Sequence, residues 1–517
     1  MSNYKVIIGL EIHAELKTKS KMFCSCPNQP DDLPNTNVCE TCLAHPGTLP
    51  RPNKTAIAWT VKIAKALGCQ ISEESKFDRK NYFYPDLPKG YQISQYDQPI
   101  GYSGILNLDL TGTENHRPET TIGITRVHLE EDTAKLTHAE GGNSLVNFNR
   151  GGVPLVEIVS EPDVESGVEA KAYCQEIQLI LRYLGVSDAD MEKGQMRCEA
   201  NISVQIPDSF EKKDGSLKPI GNYKLNNKVE LKNINSFKAI EKGINYEIER
   251  QTALIEAGET WPQETRGWDE NKGKTFSQRI KETSADYRYF PEPDIPPFNP
   301  LKIAGEFSLP ELPQTRRQRF HSEYGFSYSD AYLLTAESKW GGFTEATMSD
   351  LVEWLHSLPE TKQDTAEIVE NKKQQLARLA GGWITSKLMG VLADKKMSIS
   401  DLKVKPENFA ELVALIYARR VNSTNAQKIL LEMVDSDVDK DPTHIMEEKG
   451  YGQIDDEDKL NEVCDEIIKS YPKQVEEFKA GKEPIIKFLM GMVMKATEGG
   501  ADPIKAEEVL RRKLESS

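Results

Sequence analysis

The sequence predicts an α+β protein: an N-terminal cradle built on an antiparallel sheet, with flanking helices and a cysteine-bearing loop, followed by all-helical middle and tail regions. Three observations carry this. Between Leu10 and Lys232 several segments alternate apolar and polar residues with the two-residue period of a half-buried strand. Capped segments among them place apolar residues three and four apart, the helical period. Pro291 to Pro300 then holds five prolines in ten residues, and beyond it only the helical spacing returns.

A chain of 517 residues is long enough for several cores. The punctuation divides it into a cradle domain at residues 1–295, a stiff proline-rich linker at 296–312, a helical domain at 313–402 and a helical tail at 403–517. No apolar run reaches the roughly 18 residues of a membrane helix. The N-terminus shows neither a secretory apolar stretch nor an Arg-rich transit helix, so we expect a cytoplasmic protein with no membrane contact and reduced cysteines. Sixty-five Lys and Arg against 81 Asp and Glu leave a net charge of −16. That excludes nucleic-acid binding by bulk charge and leaves only local basic patches.

The strands come in order. Leu10, Ile12, Ala14 and Leu16 alternate with Glu11, His13, Glu15 and Lys17. From Arg126, the residues His128, Glu130 and Asp132 share one face, and Val127 and Leu129 the other. After the Gly151-Gly152 break, the run Val153 to Val159 is apolar apart from Glu157, a lone carboxylate that needs a partner or a task. Arg197 to Ile206 and Lys228 to Lys232 repeat the alternation and present Glu199 and Glu230. Two helices flank these strands. Asn53 caps a stripe of Ile57, Val61, Ala64 and Leu67, and a Ser166-x-x-Glu169 box opens a stripe of Ile177, Ile180, Leu181 and Leu184.

Two pairs of thiols, Cys24 with Cys26 and Cys39 with Cys42, flank a loop rich in Pro, Asn and Asp. Four soft thiolates suit a closed tetrahedral zinc site, and disulfides are the alternative reading. The segment Lys80 to Tyr96 is irregular, basic and aromatic, with Lys80, Tyr82, Tyr84, Lys89, Tyr91 and Tyr96. It suits either stacking on bases beside phosphates or a loop held down by its own rings.

If the five strands pair in one sheet, a single face gathers Glu11, His13, His128, Glu130, Asp132, Glu157, Glu199 and Glu230. So many carboxylates stay charged together only with cations among them, and oxygen ligands favour magnesium. The alternative is a solvated polar sheet face. Phosphate-loop and kinase fingerprints are absent, so no nucleotide site is read from a motif.

Longer motifs narrow the choice. Gly9-Leu-Glu-Ile-His13, the cysteine pairs, Phe77 through Tyr96, His128-Leu-Glu-Glu-Asp132, Leu231-Lys-Asn-Ile-Asn-Ser-Phe237 and Asp286-Tyr-Arg-Tyr-Phe-Pro-Glu-Pro-Asp294 resemble the B-subunit family of bacterial-type tRNA-dependent amidotransferases. The resemblance implies an ATP- and magnesium-dependent carbon-nitrogen ligase. It would phosphorylate the side-chain carboxylate of glutamate on tRNA-Gln or aspartate on tRNA-Asn, then amidate it with ammonia. It also implies a heterotrimer with a glutaminase A subunit and a small C subunit, acting on misacylated tRNA. Carried over, Glu11, His13, Glu130 and Glu157 are the expected catalytic residues, with Glu11, His13 and Glu130 on magnesium and Cys24, Cys26, Cys39 and Cys42 on structural zinc. Lys80, Tyr82, Tyr84, Glu199 and Glu230 would face the nucleotide or the aminoacyl end. The tail resembles the family's tRNA-binding module, with Arg419, Arg420, Arg511, Arg512 and Lys513 as its basic residues, although the turn from Glu498 is acidic. Two other classes stay open: a non-catalytic zinc-containing RNA-binding module, and a scaffold in which the carboxylates are dispensable.

Overall fold

The structure is a computed structural model that describes residues 4–110, 119–138, 141–213, 216–280, 287–362, 364–452, 457–497 and 500–516. Asp286 and Glu498, each the first residue of a segment named above, lie outside the described residues. The chain forms two compact units, Met1–Pro313 and Gln314–Ser517.

The first unit is built on a nine-stranded sheet. Its five predicted strands are β1 (Lys5–Glu15), β2 (Glu119–Glu131), β3 (Pro154–Ser160), β4 (Met196–Gln205) and β5 (Val229–Lys232). The order from one edge is Lys274–Ile280, Glu264–Asp269, β5, β4, β1, β3, β2, Gly101–Asp109 and Gln70–Ile71. Neighbours run antiparallel except β5 with Glu264–Asp269. The first strand of the chain therefore lies at the centre, held on both sides by strands 140 and more residues away.

The alternation has the expected cause. Leu10, Ile12 and Ala14 of β1, Val127 and Leu129 of β2, Val156 and Ile158 of β3, Cys198, Ala200 and Ile202 of β4 and Leu231 of β5 all point into one buried core. Helices α1 (Lys54–Ala66), α2 (Gly167–Tyr183) and α3 (Phe237–Glu256) cover that core with Ile57, Val61, Ile177, Leu181, Ile240 and Ile244. Asn53 caps α1 by accepting from the Thr55 and Ala56 N–H groups. Ser166 accepts from the Glu169 N–H, while the Glu169 carboxylate accepts from the N–H of Glu165, one residue before the cap. The turn that leaves α1 comes so close to the strand Gly101–Asp109 that a Cβ on Gly104 would stand 2.4 Å from the Cys69 sulfur and 2.5 Å from the Leu67 carbonyl oxygen. Only glycine fits there.

A small three-stranded sheet pairs Asp78–Asn81 with Tyr91–Ser94 on one side and Phe290–Pro291 on the other. It returns the end of the unit to the aromatic segment. The proline-rich stretch does not run as a bare linker. Pro300–Ala304 is a helix capped by Asn299, and Ile303 and Ala304 pack on the first core.

The second unit is helical throughout its described residues. One core joins Phe343, Leu351 and Leu355 of Ser338–Ser357 to Phe409, Leu412 and Val413 of Pro406–Tyr417. The boundary expected at 402–403 falls inside this core. A separate core of Leu460, Cys464, Leu489, Val493, Leu510 and Leu514 holds the C-terminal helices together. Among the described residues, no helix is long and apolar enough to cross a membrane.

Candidate functional site

Strand register builds the site. His128 of β2 stands opposite Glu157 of β3, Glu157 opposite His13 of β1, and His13 opposite Arg197 of β4. Directly opposed residues share a face, so these four form one polar row across four strands. The next row carries Arg126, Val159, Glu11 and Glu199. The period-two reading fixed the face, and pairing fixed which residues meet.

One Glu157 oxygen lies 3.1 Å from Nε2 of His13 and 3.1 Å from Nε2 of His128. Glu130 reaches the same centre, 3.7 Å from His13 Nε2, and accepts from the Ser94 hydroxyl at 3.0 Å. Lys80 stands 4.0 Å from Glu130 and Arg126 3.9 Å from Glu157. Both carboxylates are buried. Burial alone would raise the Glu157 carboxyl, but the two imidazoles outweigh it and hold the group well below the usual carboxylate range. Burial would likewise discharge His13, yet Glu157 and then Glu130 lift it to about 9. Lys80 is raised too, with Glu130 overcoming the cost of burial.

Glu11 lies outside this knot. It accepts from the Asn201 side chain at 3.1 Å, and burial, then Glu157 and Glu199, push its carboxyl up. Glu199 and Glu230 are brought together by Lys232, at 2.7 and 3.4 Å, and Glu230 also accepts from Thr265. Asp132 sits past the end of β2 and pairs with Arg197 at 2.5 Å and Arg150 at 3.5 Å. The basic aromatic segment divides. Lys80 faces the Tyr287 ring at 5.2 Å, and Tyr82 meets Tyr287 edge-on and reaches Gln92 at 3.3 Å. Tyr84 is 59% exposed and stands away from the carboxylates' hydrogen bonds. Tyr96 stacks on Tyr289 at 4.4 Å, and burial pushes the Tyr289 hydroxyl up to about 12.

Several contributors were missed at the sequence level. Asn201 and Lys232 lie on polar strand faces already recognised, so the alternation held their signal, whereas Ser94 ends the strand Tyr91–Ser94 inside a segment read as irregular. Tyr287 and Tyr289 arrive from about 200 residues downstream, and no local pattern could place them. A cavity of about 430 Å³ opens beside Glu11, lined by Gly9, Asn201, Ser203, Gln205, Asn226 and Leu225. Gly9 carries no side chain into that space.

The donor set fits a hard cation. Ligand atoms of His13, Glu130 and Glu157 all lie within 4.8 Å of one another. Two buried carboxylates this close together require positive charge beside them. The four cysteines Cys24, Cys26, Cys39 and Cys42 also converge within 4.8 Å, with no disulfide among them. Donation from the Cys24 thiol, aided by the Cys39 N–H and Lys21, holds the Cys42 thiol down at about 5 against the effect of burial. Four such sulfurs at this spacing match a closed tetrahedral zinc site.

The family model described as the GatB/GatE catalytic domain matches residues 6–304, and the one described as the GatB domain matches residues 364–514. The chain is 42% identical to the B subunit of the aspartyl/glutamyl-tRNA(Asn/Gln) amidotransferase of Brevibacillus brevis, covering 100% of both chains. It is 43% identical to the same subunit of Thermosynechococcus vestitus, over 99% of this chain and 96% of the relative, and 42% identical to that of Persephonella marina, over 99% of each. With both models matched in order and identity sustained from end to end, the chain belongs to the family of tRNA-dependent amidotransferase B subunits.

Proposed function

We propose that this chain is the kinase and transamidase subunit of a glutamine-dependent amidotransferase acting on Glu-tRNA(Gln), Asp-tRNA(Asn) or both. The observation that carries the reading is the convergence of His13, His128, Glu130 and Glu157 on the polar face of the sheet, beside Lys80.

A carboxylate resists ammonia until one oxygen becomes a phosphate leaving group. In the activation step a substrate carboxylate oxygen attacks the γ-phosphorus of ATP and ADP departs. Ammonia then attacks the carbonyl carbon, phosphate leaves, and a proton is lost from nitrogen. Catalysis of phosphoryl transfer rests on positioning and on positive charge near the phosphoryl oxygens. His13, Glu130 and Glu157, with Glu11 one row along, would hold magnesium, which supplies that charge when bound. Lys80 adds a fixed ammonium on the aromatic side. Glu157 aims both imidazoles, and Ser94 locks Glu130 in place. The amide- and hydroxyl-lined cavity beside Glu11 has room for a nucleoside. Tyr287 and the stacked Tyr96–Tyr289 pair offer aromatic surface to the adenosine at the tRNA terminus.

Ammonia must come from a partner. The sequence holds no Ser-x-Ser-Lys amidase signature, and Cys69, Cys174, Cys198 and Cys464 are buried, so the glutaminase A subunit supplies it in a heterotrimer with a small C subunit. The decisive experiment is an ATPase assay with purified partner subunits and each misacylated tRNA in turn. ATP cleavage that depends on the misacylated tRNA supports the reading. Cleavage absent with both tRNAs would return the chain to an RNA-binding module.

A further inference from the structure

Lys21 opens the cysteine loop and is buried to 0% exposure, alone in this among the lysines of the described residues. Its ammonium donates to the Phe148 carbonyl at 3.1 Å and stands 3.8 Å from the Cys42 sulfur. Among the described residues no carboxylate lies within ion-pairing distance of it. A wholly buried ammonium needs an anion, and here only the cysteine sulfurs offer one. Four thiolates around a divalent ion carry a net charge of −2, so a single lysine halves the excess charge left in a buried centre.

The position of Lys21 also ties the loop to the sheet. Its N–H donates to the Cys26 carbonyl at 3.0 Å, and the next residue, Met22, donates to the Gly152 carbonyl at 2.6 Å. Gly152 has φ +87°, and it lies against the Lys21 side chain, which a Cβ there would touch at 3.4 Å. The turn from Phe148 to Gly152 leads into β3, which carries Glu157.

We propose that Lys21 is the counter-charge of a metal–tetrathiolate centre and couples zinc occupancy to the turn that positions the Glu157 strand. The proposal rests on the zinc reading of the four cysteines. Outer residues that support a metal's ligands commonly change affinity by about 10- to 100-fold when removed. Lys21→Met keeps the length and apolar stem and removes the charge.

The test is zinc competition against a chromophoric chelator with the full chain, together with thermal unfolding of the zinc-loaded and chelator-stripped forms. Lys21→Met should weaken zinc binding about tenfold or more. It should lower the melting temperature of the loaded form while leaving the stripped form as stable as the stripped wild type, or more so, because an unpaired buried ammonium has then been removed. If Lys21→Met gives no folded protein, Lys21→Gln keeps a donor for Phe148 without the charge and carries the same test. Zinc affinity within twofold of wild type overturns the proposal alone, as does an equal loss of stability in both forms. A wild-type chain that takes up no zinc overturns the metal reading and the proposal with it.

Discussion

Removing Arg79 should destabilise the first unit through one buried anion. Its guanidinium donates through Nε and Nη2 to the two oxygens of Glu292 at 2.7 and 2.8 Å, and the Glu292 side chain is 0% exposed. The arginine also covers the Tyr91 ring at 4.3 Å and fastens Phe290–Pro291 to the strand Asp78–Asn81. Arg79→Met would leave Glu292 with one N–H donor to its carboxylate, from Asp294, and no counter-ion within the pair. Breaking a buried pair from one side costs about 3–5 kcal/mol. Glu292→Leu leaves a partly exposed guanidinium with Asp294 at 3.5 Å, so its cost should be lower, about 1.5–3 kcal/mol. In the double variant no charge remains buried alone, and its cost should fall below the sum of the singles by roughly 1–3 kcal/mol. Urea titration of the full chain measures all four corners of this cycle. Single costs that add within about 0.5 kcal/mol would refute the argument, because independent sites behave that way. The loosened strap should also lower turnover, since it carries Tyr287 and Tyr289 to Lys80.

Glu130→Gln should reduce tRNA-dependent ATP cleavage by about 100-fold or more while tRNA affinity holds, because the lost charge acts on the transition state; near-normal turnover would favour the binding-module reading. Cys39→Ser should lose zinc and thermal stability together, read by metal analysis and unfolding, and full zinc content would contradict it. Glu411→Gln concerns pH. Burial raises the Glu411 carboxyl from 4.5 to about 7, so its contribution to stability is fully present below 4.5 and is lost as pH rises through 7. The glutamine variant should therefore gain up to about 3 kcal/mol over wild type near pH 8 and nothing near pH 4, measured by denaturant titration at the two pH values.

The site was legible in the sequence to the extent that local periodicity determines it. Alternation put Glu11, His13, His128, Glu130, Glu157, Glu199 and Glu230 on one face because strand geometry has a fixed period. Which of them touch depends on register between strands with partners up to 200 residues apart, and single-strand patterns contain no such information. His13 thus joins Glu157 and Glu130, whereas Glu11 goes to Asn201. Lys232 was visible as a polar-face lysine, but its neutralising role needed both Glu199 and Glu230 in place. The proline-rich stretch misled for a related reason. Stiffness was legible, but the packing of Ile303 and Ala304 on a distant core was not.

The tail shows the same limit, with a functional consequence. Read along the chain, Arg511, Arg512 and Lys513 form a basic cluster, yet Arg511 pairs with Glu507 and Glu483, Lys513 pairs with Asp465, and Arg512 donates to Asn461. Arg420 pairs with Glu360 at 2.8 Å. Residues 457–517 hold eleven Lys and Arg against thirteen Asp and Glu, so the C-terminal segment has no excess positive charge to attract a polyanion. Docking of tRNA there requires lysines turned outward on one surface. The helix Ile485–Ala496 offers that arrangement, because Lys487, Gly491 and Lys495 recur every four residues on its exposed face. Its opposite face, Ile486, Leu489 and Val493, is core. If the tail docks tRNA, Lys487→Glu with Lys495→Glu should raise KM for tRNA and reduce the salt slope of binding by about 2, about one for each phosphate no longer neutralised. Lys513→Ala should lower stability with little change in KM. An unchanged KM across a salt series in the Lys487/Lys495 variant would move tRNA docking off this helix, to the aromatic surface around Lys80 and Tyr96.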